Sequence, residues 1–301
     1  MTNQRRNMGR AGAATGLLIA AAWGLHCQDV RTAAGREEPV LTARIDGLAS
    51  VPLPTIEPVA SRPDHTSQSL AESDPVAFLM HCRDAWGKNT ARDYQCLFLS
   101  QERIGDGLTP VQEVAARVRR QPFSVDMTWL KNPMAAKRAM YVEGKWTDAR
   151  GQAMAWFKPA GALLELVAPR VQQPIHGPRA KAAARRSMDQ FGFERTLGLI
   201  IKYTQLARDA GQLDLRYAGT GAIDDRPTYV FERYLPYNGH DESYPDALLR
   251  FHIDQAWLVP TACFSYADGK GEQLLGAYVM TAVRFDVGLG DADYDPHSAS
   301  F

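Results

Sequence analysis

From Gln121 to Leu130 the chain reads QPFSVDMTWL. Steps of two put Phe123, Val125, Met127 and Trp129 on one side and Ser124, Asp126 and Thr128 on the other. That is the period of a strand with one apolar and one polar face. The period recurs around it. DYQCLFLSQERI (Asp93–Ile104) meets Gly105-Asp106-Gly107, a hairpin signal, and VQEVAARVRR (Val111–Arg120) returns. RAMYVEG from Arg138 and QAMAWFK from Gln152 continue the series, and LLELV (Leu163–Val167) predicts a short sixth strand. Together these read as an antiparallel meander. A second run comes later: LDLRYAG from Leu213, TYVFERYL from Thr228, LLRFHID from Leu248, VPTACFSYA from Val259 and GAYVMTAVRFDV from Gly276. Asp268-Gly269-Lys270-Gly271 is the turn joining the last two.

The period changes to 3.6 before and between these runs. Asp74-Pro75 predicts an N-cap followed by proline in the first turn, ahead of Phe78, Leu79, Cys82, Ala85 and Trp86 at helical spacing. Between the runs, Pro178–Asp189 is rich in Ala and Arg. Phe191–Ala210 then carries Phe193, Leu197, Ile200, Ile201 and Leu206 on one stripe. Ten or eleven short strands with two or three helices predict an α+β fold on one large antiparallel sheet. A sheet that wide curls. Several strands are apolar on both sides. Tyr94, Cys96 and Phe98 oppose Leu97 and Leu99, and Tyr229, Phe231 and Leu235 oppose Val230 and Tyr234. Such a sheet must be covered on both faces or must itself cover something.

The first residues follow other rules. Arg5, Arg6 and Arg10 precede an uncharged stretch from Ala11 to Leu25, the pattern of a secretory signal peptide over residues 1–34 with cleavage after Ala34. Fifteen residues are short for a membrane span, which needs about 20. Cys27 offers a lipid-modified alternative, although His26 before it is a poor residue for that signal. Residues 35–73 hold Pro39, Pro52, Pro54, Pro58 and Pro63 and no periodicity, so a flexible linker is expected there, with a single folded domain over 74–301.

Composition narrows the function. With 34 basic and 34 acidic residues the formal charge is zero, and nothing asks for nucleic acid. Export implies an oxidising compartment. Cys82, Cys96 and Cys263 would remain there, either with one disulfide or as three buried thiols. Sequence motifs for a nucleophile elbow, a zincin helix, a phosphate loop or a dinucleotide fold are absent. His240-Asp241-Glu242 reads as a solvated loop. His252 and Asp254 share a strand face but two ligands do not make a metal site. Asp291, Asp293 and Asp295 resemble half a calcium loop, with Pro296 where glycine is needed. No catalytic residue, cofactor or metal is expected.

Four motifs carry a resemblance. Y-x-C-x-F at Tyr94–Phe98, Q-E-R-I-x-G at Gln101, R-x-x-P-F-S-V-x-M-x-W at Arg119–Trp129 and Y-V-E-G at Tyr141–Gly144 resemble an uncharacterised family of exported planctomycete proteins, domain of unknown function 1571. The closing order of strand, I-D, loop, proline, strand, Gly-rich turn and final strand is similar to LolA-like lipoprotein carriers. That resemblance implies a half-barrel of about eleven strands with helices packed on its concave face. It implies a non-enzymatic, periplasmic or envelope protein, held at its N-terminus or free. Such a protein would be a monomer that binds lipid, an acyl chain or a lipidated protein, with an envelope partner. Phe123, Val125, Met127 and Trp129, with Tyr94, Phe98 and Tyr141, would then line the hollow. The other reading is an envelope scaffold in which the same residues form a filled core.

Overall fold

The computed structural model describes residues 65–161, 167–239, 244–298 and 301. Among the described residues, twelve strands join in one sheet. In chain order they are β1 (Asp93–Ile104), β2 (Gly107–Leu108), β3 (Gln112–Arg119), β4 (Ser124–Lys131), β5 (Ala136–Val142), β6 (Met154–Pro159) and β7 (Val171–Pro174). There follow β8 (Asp214–Ile223), β9 (Arg226–Tyr234), β10 (Leu248–Asp254), β11 (Pro260–Tyr266) and β12 (Leu274–Phe285). The spatial order is β7-β6-β5-β4-β3-β1-β12-β11-β10-β9-β8, with β2 hairpinned onto β1. Every pairing is antiparallel. The two runs of alternating sequence therefore become the two wings of one sheet, joined where β1 pairs β12.

This order dictates the cover. β7 and β8 are at opposite edges, so the connection between them must cross the whole sheet. Laid flat, eleven strands span about 48 Å. The crossing chain contributes α3 (Pro178–Ala183), a 3₁₀ turn at Met188–Gln190 and α4 (Phe193–Asp209). A helix of that length runs about 25 Å, half the width. The remainder is spanned by irregular chain, and space is left beneath it. Two further helices, α1 (His65–Ser73) and α2 (Pro75–Lys88), pack with α4 on the same, inner face.

α2 begins as its sequence predicts. Asp74 accepts a hydrogen bond from the Ala77 N–H at 2.9 Å, and Pro75 occupies the first turn. Its buried stripe of Phe78, Leu79 and Cys82 meets Leu197, Ile200 and Ile201 of α4 over Tyr229, Phe231, Leu249 and Phe251 of the sheet. Trp86 lies further along, against Phe193 at 5.7 Å between ring centroids.

Three expectations change. The folded part extends earlier than Asp74, because residues 65–73 of the expected linker form α1. Ser67, Leu70 and Ala71 fall on one helical side there, and Ser67 and Ala71 are buried. The signal peptide and the rest of the linker lie outside the described residues. So does the strand expected at Leu163–Val167, apart from Val167; Val171–Pro174, not expected as a strand, pairs with β6. Finally, the polar side of β4 is not wet. Ser124 and Asp126 are buried. Arg117 and Arg138 both pair with Asp126, at 2.9 and 2.7 Å. The C-terminal segment closes over this outer face. Asp293 bridges to Arg117 and Asp291 to Arg119, with the Arg119 guanidinium over the buried Tyr294 ring. Asp291 and Asp293 of the supposed half calcium loop thus accept from arginines of β3, and Asp295 accepts from the His297 N–H.

The thiols of Cys82, Cys96 and Cys263 are free and buried. Burial pushes Cys96 and Cys263 up to about 12.

Candidate ligand cavity

The inner face is packed at one end and hollow at the other. The packed end is built around Tyr94. Its ring stacks on Phe193 at 4.6 Å, and its hydroxyl accepts from the Phe193 N–H at 3.0 Å, satisfying an orphan donor in the first turn of α4. Gly192 makes this approach possible. Its φ is +92°, and a Cβ there would lie 2.4 Å from the Tyr94 oxygen. Phe123, Val125 and Tyr141 belong to the same cluster, with Trp86, Val118 and Phe193. Arg195 of α4 lies over the Phe123 ring at 4.6 Å.

Beyond this cluster the side chains separate and leave a cavity of about 230 Å³. By comparison, a cavity of roughly 150 Å³ lined by Leu, Ile and Phe admits benzene. The floor is the inner face of the sheet from β6 to β9: Phe157, Trp129, Met127, Phe98, Tyr278, Met280, Cys263 and Leu249. The roof is Leu199, Ile200 and Tyr203 of α4 with the irregular segment before it. Small residues make the room. Ala139 lies opposite Met127 in the β4–β5 register, and Ala180, Ala183 and Ala184 face the space from the crossing chain. The Ala- and Arg-rich stretch between the two strand runs is thus a cavity wall.

Aromatic contacts order the lining. Phe98 meets Phe191 edge-on at 4.9 Å and stacks parallel to Tyr278 at 6.4 Å. The half-buried Trp129 donates its indole N–H to Gln112 Oε1 at 2.7 Å, which ties the ring to the start of β3. At the opposite end the lining turns polar. Tyr278 donates to Glu102 Oε1 at 2.7 Å, and the Arg185 N–H reaches Glu102 Oε2 at 3.2 Å. Burial raises the Glu102 carboxyl from its usual range despite those bonds. Arg233, 1% exposed, donates to the Ile200 carbonyl at 3.1 Å and pairs with the buried Asp246 at 3.3 Å. Arg186 stands beside them on the cavity wall.

Of the seven residues expected to line a hollow, Phe98, Met127 and Trp129 line this cavity. Tyr94, Phe123, Val125 and Tyr141 do not, because Trp86 and Phe193 fill the space above them. The opening strand thus divides along its length, with Phe123 and Val125 in core and Met127 and Trp129 at the cavity. Sequence reading missed Glu102 and Arg233. A signal for both was present: Glu102 is in phase with Tyr94, Cys96 and Phe98, and Arg233 with Tyr229 and Phe231. A charge in phase with a buried face has to have partners or a ligand.

His240-Asp241-Glu242 lies outside the described residues. Asp254 accepts from Arg226 at 2.6 and 2.9 Å and from the N–H groups of Ala256 and Trp257. His252 Nδ1 is 3.0 Å from the Thr228 hydroxyl. Among the described residues, no group of three or more His, Cys, Asp or Glu is placed to hold a metal, and no helix is long and apolar enough to cross a membrane.

No curated protein matches the chain. Among solved structures it is similar to a DUF1329 family protein from Desulfovibrio piger (13% identity, 74% of this chain and 98% of that one, TM-score 0.37). It is also similar to a LolA superfamily protein from Nitrosomonas europaea (9%, 73% and 97%, TM-score 0.32). A third is the Mycobacterium tuberculosis lipoprotein LppX (13%, 74% and 100%, TM-score 0.39). The family of proteins of unknown function DUF1571 matches residues 91–301, which take in every strand of the sheet, and the chain belongs to that family.

Proposed function

We propose that this protein binds an acyl chain in the cavity between the sheet and its helical cover, as a non-enzymatic carrier or sensor of lipid or of a lipidated protein. One observation carries the reading. Phe98, Met127, Trp129, Phe157 and Met280 converge on space that no side chain of the described residues fills. A dry apolar cavity is stabilised by an apolar guest, at roughly 0.8 kcal/mol per buried methylene. The attraction is non-directional, so chains of several lengths are accommodated. The basic and then apolar leader supports export to the periplasm or envelope, where such a ligand and a partner protein would be met.

The test is extraction and mass spectrometry of the full-length protein purified without detergent from its own envelope. An acyl lipid at close to one molecule per chain is expected. Protein free of lipid that also fails to bind an added fatty acid sinks the proposal and leaves the scaffold reading.

A further inference from the structure

The polar end of the cavity is unbalanced. Among the described residues, Arg185, Arg186 and Arg233 gather there with two acids, Asp246 and Glu102. Arg233 is committed to Asp246 and the Ile200 carbonyl, and Arg185 donates to the Pro245 carbonyl at 3.2 Å. Glu102 is occupied by the Tyr278 hydroxyl and the Arg185 N–H. Arg186 is different. It faces the cavity, feels Asp246 and Glu102 only at longer range, and its guanidinium makes no hydrogen bond or ion pair with any described residue. Two neighbouring donors left without partners point the same way. The Arg233 Nε–H is a donor and the Thr261 hydroxyl can donate, and both residues border the cavity, while the unpartnered acceptor beside them, Asp246 Oδ2, belongs to the carboxylate already paired with Arg233. An unpaired guanidinium beside apolar walls is a costly arrangement that an anion relieves.

We infer that the ligand is an amphiphile with a carboxylate or phosphate head, which pairs with Arg186 while its acyl chain runs toward Met127, Trp129 and Phe157. This rests on the acyl-chain reading above and adds the head group and the orientation. The Ala/Arg composition of the crossing segment then has a use for both residue types: alanines make room for the chain and Arg186 receives the head. A planar guanidinium binds either acid through two parallel hydrogen bonds.

Equilibrium titration of the full chain with palmitate, palmitoyl lysophosphatidate and monopalmitoylglycerol tests it. The wild-type protein should bind at least one of the anions tenfold or more tighter than the neutral glyceride, and the stronger anion identifies the head. Arg186→Met should lose that preference while holding monopalmitoylglycerol as before, with an unchanged thermal melt. Arg186→Lys should recover part of the preference. Equal wild-type affinity for all three overturns the head-group inference and leaves the acyl-chain reading standing. No binding of any of the three overturns both. Because the wild-type comparison stands alone, an Arg186→Met protein that failed to fold would not remove the test.

Discussion

Carboxylates placed at Val125 and at Trp129, four residues apart on one face of β4, should have opposite consequences. Val125 is fully buried in the cluster with Tyr94 and Phe193. Val125→Asp forfeits about 1.5–3 kcal/mol of apolar burial. It also buries a carboxylate without a partner, at an effective cost of several kcal/mol. The sum is comparable to the roughly 5–15 kcal/mol that holds a domain folded. Trp129 is half-buried at the cavity edge and its polar contact is one indole hydrogen bond. Trp129→Asp loses that bond and part of the ring's burial, about 2–3 kcal/mol, while its carboxylate keeps access to water. For a domain of this size that is a fall in Tm of about 5–10 °C. Circular dichroism melts and urea titrations, paired with fatty-acid titration, provide the assay. The expected result is an unfolded or unrecoverable Val125→Asp protein and a cooperative Trp129→Asp protein that no longer binds the acid. A folded Val125→Asp protein, or a Trp129→Asp protein that folds and binds normally, would refute this division of the strand.

Other outcomes follow from single contacts. Gly192→Ala combines a positive φ with a clash against the Tyr94 hydroxyl, so a loss of about 2–4 kcal/mol is expected in urea titration, against a gain of up to about 1 kcal/mol for Gly198→Ala, where the site is open and helical. Burial, with Arg250 second, pulls His252 down to about 4 from an ordinary value near 6.5. The unfolded chain therefore binds the proton first, and stability from this group, complete above about pH 6.5, declines by up to about 3 kcal/mol as the pH falls to 4. In His252→Gln the acid-side slope should be shallower, and an identical slope would exclude this histidine as its source. Cys96 and Cys263, buried with thiols pushed up to about 12, should resist iodoacetamide at pH 8 in the folded protein and react in urea, as read by peptide mapping. Rapid labelling of either in the folded protein would contradict their burial.

The sheet was legible because its signals are local. Period-two alternation and Gly-centred turns place nearly every strand, and Asp74-Pro75 places the start of α2. What escaped was whatever depends on the crossing of the chain from β7 to β8. Alternation gives Phe123, Val125, Met127 and Trp129 one face but cannot say that Phe193 descends on the first pair and leaves space above the second. Likewise Ser124 and Asp126 read as solvent-facing, because the Asp291–Tyr294 segment that covers them lies more than 160 residues away. VQQP at β7 is too short and polar to announce a strand, and pairing with β6 decides it. Ala182-Ala183-Ala184-Arg185-Arg186 has no local signature of a binding wall, and its role emerges only against the opposite floor.

The central claim, an acyl chain lying between Phe98, Met127, Trp129 and Phe157, is tested most directly by a photoreactive palmitate analogue with its diazirine on the chain. After irradiation and digestion, saturable labelling that unlabelled palmitate prevents should fall on peptides carrying those residues or Phe191. Labelling confined to an exposed position such as Leu206, or labelling that palmitate fails to compete, would contradict it.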